Sequence, residues 1–103
     1  MTDMHPVPFM LFAEARRRDI SVRRLAYMSA VSEHALERAK RGFGIKIADA
    51  ILALNALGLR PVLARGDGHT APIFVDADAT TYIEDVEPLA QVMGARILVD
   101  YLQ

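Results

Sequence analysis

The hydrophobic and polar positions follow a helical period through the first 58 residues and a strand-like pattern after that. The first part predicts four helices, each set off by capping or helix-breaking residues. They cover Pro8–Arg18, Val22–Met28, Glu33–Arg41 and Lys46–Leu57. The fourth carries Ile47, Ile51 and Leu54 at positions i, i+4 and i+7, which predicts that this face packs in a core.

The residues between these helices are typical of helix ends. Ser21 and Ser32 each stand immediately before a predicted helix, where a hydroxyl caps free backbone N–H groups. Gly42 and Gly58 each follow one, where a left-handed residue commonly ends a helix. The two middle helices are therefore predicted to be short and joined by a tight turn.

After Gly58 the pattern indicates strands and one short helix. We predict extended segments at 59–65, 72–76, 80–86 and 95–102, and a short helix at 88–93 that begins at Pro88. Because proline cannot donate to a strand ladder, Pro61 is expected to lie in an edge strand or among the opening residues of its strand. The predicted fold is α+β: a bundle of about four helices in residues 1–58, then a small β-rich segment with one helix in residues 59–103.

Charge divides the chain at nearly the same place. Residues 1–65 contain 11 Lys and Arg against 6 Asp and Glu, whereas residues 66–103 contain 1 against 7, within a formal net charge of −1. The basic part suits a polyanion, and the acidic part would be repelled by one. Two solvated faces without a partner are the alternative.

Composition excludes several classes of function. The chain of 103 residues is 52% hydrophobic and has no Cys, so we expect a globular protein without disulfides or thiolate chemistry. Neither a secretory signal nor a membrane-spanning run is visible, and a cytoplasmic location without membrane contact is expected. His5, His34 and His69 lack metal-ligand spacing, and Asp76 and Asp78 are interpreted as a turn. No metal, no cofactor and no enzymatic activity are predicted.

The third predicted helix has two distinct faces. Ala35, Leu36 and Ala39 form an apolar face whose small alanines allow close packing. The opposite face carries long polar side chains, namely Glu33, His34, Glu37, Arg38 and Arg41. A helix of this kind fits the major groove of DNA, where each base pair presents a different set of donors and acceptors. A solvated amphipathic helix would show the same pattern.

The order of residues around this helix resembles a known family. The pattern consists of Leu25-Ala26, Val31-Ser32, Leu36 and Gly42, followed by the segment IADAILALNALGLRPVL. It is similar to the Cro/phage-repressor (XRE-like) family of helix-turn-helix DNA-binding proteins. The resemblance covers roughly residues 9–63. Ala30 stands where the family usually has a turn glycine, and Val22 stands where it favours a phosphate-gripping glutamine.

The resemblance implies a sequence-specific DNA-binding transcriptional regulator of phage or bacterial type. It implies base-facing or near-base positions at Ser32, Glu33, His34, Glu37 and Arg38. Phosphate contacts are implied for Arg23, Arg24, Lys40, Arg41 and Lys46. Such proteins act as homodimers on inverted-repeat operators in double-stranded DNA, with recognition helices about 34 Å apart.

The end of the chain is more apolar than a lone edge strand should be. We predict that it forms the dimer interface, through Ile97, Leu98, Val99, Tyr101 and Leu102. Coverage by another strand of the same chain is the alternative.

Two other hypotheses also fit the charge division. The chain could be an antitoxin or phage adaptor that holds a basic protein with its acidic tail, or the tail could fold over the basic helices and compete with DNA.

Overall fold

The computed structural model describes residues 5–73 and 80–102. Within these residues the chain forms five helices and a three-stranded antiparallel sheet, which confirms the α+β class. The helices are α1 Pro6–Arg17, α2 Val22–Ser29, α3 Glu33–Lys40, α4 Ile47–Ala56 and α5 Ile83–Val92. The strands are β1 Leu59–Arg65, β2 Thr70–Pro72 and β3 Ala95–Tyr101.

Helices α1 to α4 lie where the sequence predicts them, with ends that differ by one or two residues. The first begins at Pro6 because His5 caps it: the His5 Nδ1 accepts the Val7 N–H at 3.1 Å. Proline in the first turn suits this start, since an N–H there would have no partner within the helix. The Ser21 and Ser32 hydroxyls cap α2 and α3 as predicted, by accepting the N–H of the residue three positions on.

Helix α5 contradicts two predictions. Residues 80–86 are not a third extended segment, because Tyr82 forms a single bridge with Lys46 and the helix begins at Ile83. Pro88 lies inside that helix, not in its first turn. The helix forms because Ile83 and Ala90 turn into the core, while Glu84 and Asp85 place negative charge at its positive end.

The sheet has the order β2-β1-β3, so β1 is its central strand. β1 is therefore not an edge strand, and Pro61 instead lies near the start of the strand, which is the other position that the sequence allowed. Pro61 is tolerated because β2 pairs only with residues 62–64, and Pro61 lies beyond that ladder with Val99 as its neighbour on the other side. The predicted strand 72–76 also differs, since β2 ends at Pro72; its residues 74–76 lie outside the described residues.

One hydrophobic core draws on both parts of the chain. Side chains from each of the five helices meet there with residues of β1 and β3. Leu36 of α3, Ile83 of α5 and Ile97 of β3 are all at most 1% exposed. Strands β1 and β3 and helix α5 are thus packed against the helical bundle.

Candidate nucleic-acid interface

The turn between α2 and α3 has a left-handed residue at its first position. Ala30 adopts φ 63° and ψ 15°, the conformation that glycine usually supplies. The buried Ser29 supports the turn: its hydroxyl donates to the Leu25 carbonyl at 2.7 Å and accepts the Val31 N–H at 3.3 Å. Ala30 therefore holds the left-handed conformation at this turn although it carries a Cβ.

Helix α3 is held by one side and exposed on the other. Leu36 and Ala39 are completely buried. Of the predicted base-facing residues, Glu37 is half-buried, and the exposed ones are Ser32, Glu33, His34 and Arg38. The Ser32 hydroxyl already accepts the Ala35 N–H at 3.0 Å, so its proton and one lone pair remain for further bonds. The exposed side can donate and accept hydrogen bonds over two turns of helix.

The end of α3 carries an exposed aromatic residue that the sequence did not single out. The guanidinium carbon of Arg38 lies 4.8 Å from the centre of the Phe43 ring, within the range of a cation–π contact. Phe43 itself is 60% exposed. Its ring restricts where the Arg38 guanidinium goes, while the outer face of that group stays open to solvent.

A cleft beside α3 collects several predicted residues. Ser32, His34 and Arg38 line it from α3, and Lys46 lines it from the start of α4. The remaining wall includes Tyr82, which is bridged to Lys46. Three predicted base-facing residues and one predicted phosphate contact thus line a single hollow. Tyr82 was missed because it is 36 positions from Lys46, beyond the reach of any local pattern.

Other predicted phosphate contacts lie elsewhere. Lys40 borders a separate hollow between the end of α1 and the start of α2, with Arg16 and Asp19 on its rim. Arg23 and Arg24 are exposed in the first turn of α2, and Arg41 is exposed at the end of α3. The exposed cations therefore flank α3 on more than one side.

The basic cluster at the end of α1 is partly neutralised within the same helix. Glu14 accepts hydrogen bonds from Arg17 and, at 2.7 Å, from the Arg18 Nε. These bonds, led by the one from Arg17, hold the pKa of Glu14 at about 2. Because Glu14 lies beside them, Arg17 and Arg18 attract a polyanion less strongly than the sequence alone indicates.

Acidic residues of α5 lie close to the end of α3. The Glu84 Oε1 accepts the Ile45 N–H at 3.1 Å, and the Ile45 carbonyl accepts the Ile83 N–H at 2.9 Å. Asp85 is exposed and borders the same hollow as Arg38 and Phe43. Negative charge from the acidic half therefore lies beside the predicted base-reading surface.

The predicted dimerisation residues are divided between the core and the surface. Ile97 is 1% exposed and belongs to this chain's core, so its side chain is not available to a second subunit as predicted. Val99 is half-buried against that core, on the same face of β3 as the buried Ala95 and Ile97. Leu98, Tyr101 and Leu102 are exposed by 37%, 72% and 45%.

Residues 5–73 and 80–102 contain no cluster of three or more side chains that could hold a metal ion. None of their helices has the length and apolar character needed to cross a membrane. Comparison of the chain with protein-family models, curated proteins and solved structures gives no match.

Proposed function

We propose that the protein is a sequence-specific DNA-binding transcriptional regulator that acts as a homodimer on an inverted-repeat operator. One observation carries the proposal: α3 is anchored by the buried Leu36 and Ala39, and its opposite side is exposed and polar. A left-handed turn after α2 and exposed cations around α3 support it. The α2, turn and α3 segments are interpreted as a helix-turn-helix, with α3 as the recognition helix.

Roles follow from the chemistry of each exposed side chain. The Arg38 guanidinium suits the O6 and N7 of guanine, which it can bind with two parallel hydrogen bonds. His34 can donate or accept, and the carboxylates of Glu33 and Glu37 can accept from a cytosine amino group. These groups read sequence because the major groove presents a different pattern for each base pair.

The surrounding cations have a different role. Arg23, Arg24 and Arg41 are exposed, and Lys46 lies at the N-terminal end of α4 beside the cleft. Contacts from such groups to phosphates fix the orientation of the protein on DNA without reading its sequence. They also make affinity fall steeply with salt, because each contact releases counterions. Lys40 borders the hollow between α1 and α2, so a phosphate contact from Lys40 would lie away from the cleft that Lys46 lines.

The proposal is tested by selecting bound sequences from random duplexes at two salt concentrations. We expect a palindromic consensus whose half-sites are about one helical turn apart. Affinity for all sequences should fall with salt, while the preference for the consensus remains. Binding without any sequence preference, or no binding at low salt, would contradict the proposal.

Protein recognition by the acidic half is the second candidate, as in an antitoxin or a phage adaptor. The observation that favours it is the exposed Asp85 at the start of α5, followed on the same helix by exposed apolar side chains. A stoichiometric basic protein that co-purifies from the native host, and that an Asp85→Lys variant no longer retains, would favour this candidate.

A further inference from the structure

Helix α3 ends in a pair of hydrogen bonds that returns the chain to the last turn of the helix. The Gly42 N–H donates to the Ala39 carbonyl at 3.0 Å, and the Phe43 N–H donates to the Arg38 carbonyl at 3.0 Å. Gly42 has φ 90°, the left-handed conformation that this pair of bonds requires. This is a Schellman motif, in which the residue after the glycine packs against a side chain of the last helical turn. The end of α3 therefore fixes Phe43 beside Arg38.

The packing partner of Phe43 is a cation, where this motif usually has an apolar side chain. The Arg38 guanidinium carbon lies 4.8 Å from the centre of the Phe43 ring. Attraction to a ring restrains the guanidinium without tying its N–H groups to an acceptor oxygen. Arg17 is held in the other way, because its N–H groups donate to the Glu14 carboxylate. Arg38 is thus restrained while its hydrogen-bond donors stay available for a ligand.

A carboxylate nearby offers Arg38 a different partner. Asp85 is exposed and borders the same hollow as Arg38 and Phe43. Glu84 borders it too, but its Oε1 already accepts the Ile45 N–H at 3.1 Å. A guanidinium that paired with Asp85 would direct its donors to that carboxylate and away from a base. Within residues 5–73 and 80–102 Arg38 forms no ion pair, and the ring is the group that holds it.

We propose that Phe43 is a positioning residue, which holds the Arg38 guanidinium ready for a guanine and thereby raises the preference of the protein for that base. The inference rests on the proposed function, because it takes Arg38 as a base-reading residue of α3. Phe43 reads no base itself. It raises the fraction of molecules in which Arg38 is placed to donate to the O6 and N7 of guanine at once.

The strength of the ring contact sets the size of this effect. A cation–π contact at an exposed site favours the restrained arrangement over the alternatives by about two- to fivefold. The apparent affinity of a ligand rises in proportion to the fraction of protein that is ready to bind it. Only a duplex with guanine opposite Arg38 uses that arrangement. The gain therefore appears as a preference for guanine at one position, and not as stronger binding to all DNA.

The test uses the operator obtained by selection and a second duplex in which one guanine is replaced by adenine. The guanine chosen is the one whose replacement no longer lowers the affinity of an Arg38→Ala variant. Phe43→Leu keeps an apolar side chain against the Arg38 stem but removes the ring, so it should reduce the preference for guanine about two- to fivefold at this position. Phe43→Tyr is the matched control: it keeps a ring and should keep the preference. Preferences at other positions should not change in either variant.

Three results would overturn the inference. The first is a full preference for guanine in Phe43→Leu, and the second is an equal loss of affinity for both duplexes, which a merely structural role would produce. The third is a loss of preference in Phe43→Tyr as large as in Phe43→Leu. Urea denaturation shows whether each variant is folded. If the unmodified protein selects no consensus, the proposed function fails and this inference fails with it. If Arg38 reads a guanine but Phe43→Leu keeps the preference, this inference alone fails.

NMR relaxation of the arginine side-chain Nε–H groups tests the restraint without DNA. We expect the Arg38 group to be less mobile than that of Arg23, which is exposed in the first turn of α2. Phe43→Leu should raise the mobility of Arg38 to that of Arg23, whereas Phe43→Tyr should leave it low. Equal mobility of the two arginines in the unmodified protein would refute the positioning role, whatever the DNA measurements give.

Discussion

At the scale of single residues, the left-handed conformation of Ala30 strains the backbone of the turn. Its φ of 63° brings the Cβ close to a carbonyl oxygen, which costs about 1 kcal/mol for a residue other than glycine. We expect Ala30→Gly to raise the free energy of unfolding by about 0.5–1 kcal/mol, after allowing for the more flexible unfolded chain. Urea denaturation measures this change. A lower stability would mean that the turn does not need a left-handed residue.

Gly44 shows the opposite case, a glycine that the packing requires. Its φ is 92°, and a Cβ built there would lie 3.0 Å from the Glu84 Oε1 and 3.1 Å from the Tyr82 Cδ2. We expect Gly44→Ala to lower the free energy of unfolding by about 1–3 kcal/mol, because strain and a clash combine. Gly42→Ala is the matched control: φ is 90° there, but no atom lies within 4 Å. An equal loss of unfolding free energy in both variants would mean that backbone strain alone, without the clash, destabilises Gly44→Ala.

At the scale of elements, Glu87 connects α1, α5 and β3. Its carboxylate accepts the Ile97 N–H at 2.9 Å and lies 3.7 Å from both the His5 Nε2 and the Arg96 Nε. Glu87→Ala leaves a buried N–H without an acceptor, so we expect a loss of about 1–3 kcal/mol in the free energy of unfolding. Glu87→Gln keeps an acceptor oxygen and should lose clearly less. Equal losses, measured by thermal denaturation, would show that the charge and not the hydrogen bond is what matters.

The acidic start of α5 is expected to weaken DNA binding. Asp85 shares a hollow with Arg38, so its charge opposes an approaching phosphate backbone. Asp85→Asn should raise affinity about two- to fivefold for operator and random DNA alike, without changing the preference between them. Asp67→Asn, in the turn between β1 and β2, is the control and should have little effect. A gain confined to the operator would show that Asp85 acts on base reading instead.

The elements also show how far local patterns reach. Helices α1 to α4 were predictable because their caps and apolar faces lie within about a dozen residues of one another. Only the second half of helix α5 was predicted, as the helix 88–93, because the start of α5 is held by hydrogen bonds with Ile45 and its buried Glu87 interrupts the apolar face. The polar side of α3 followed from its period, whereas Tyr82 reaches the cleft only through the tertiary packing of α5.

At the scale of the whole molecule, the acidic and basic halves share one core and cannot be separated without exposing it. Ile83 and Ile97 lie in that core beside Leu25 and Leu36 of the helical bundle. Removing residues 66–103 would therefore expose this core, so point substitutions are the appropriate probes of the acidic half. The exposed cations around α3 and the acidic start of α5 are surfaces of one folded unit.

The central claim is that α3 reads DNA sequence, and the preference of an Arg38→Ala variant for the selected operator over random DNA tests it most directly. Loss of a two-bond contact to guanine should reduce that preference by about 1–3 kcal/mol. Arg65 is also exposed, at the end of β1, and Arg65→Ala should bind like the unmodified protein. If Arg38→Ala keeps the full preference, and His34→Ala does as well, α3 is not the recognition helix.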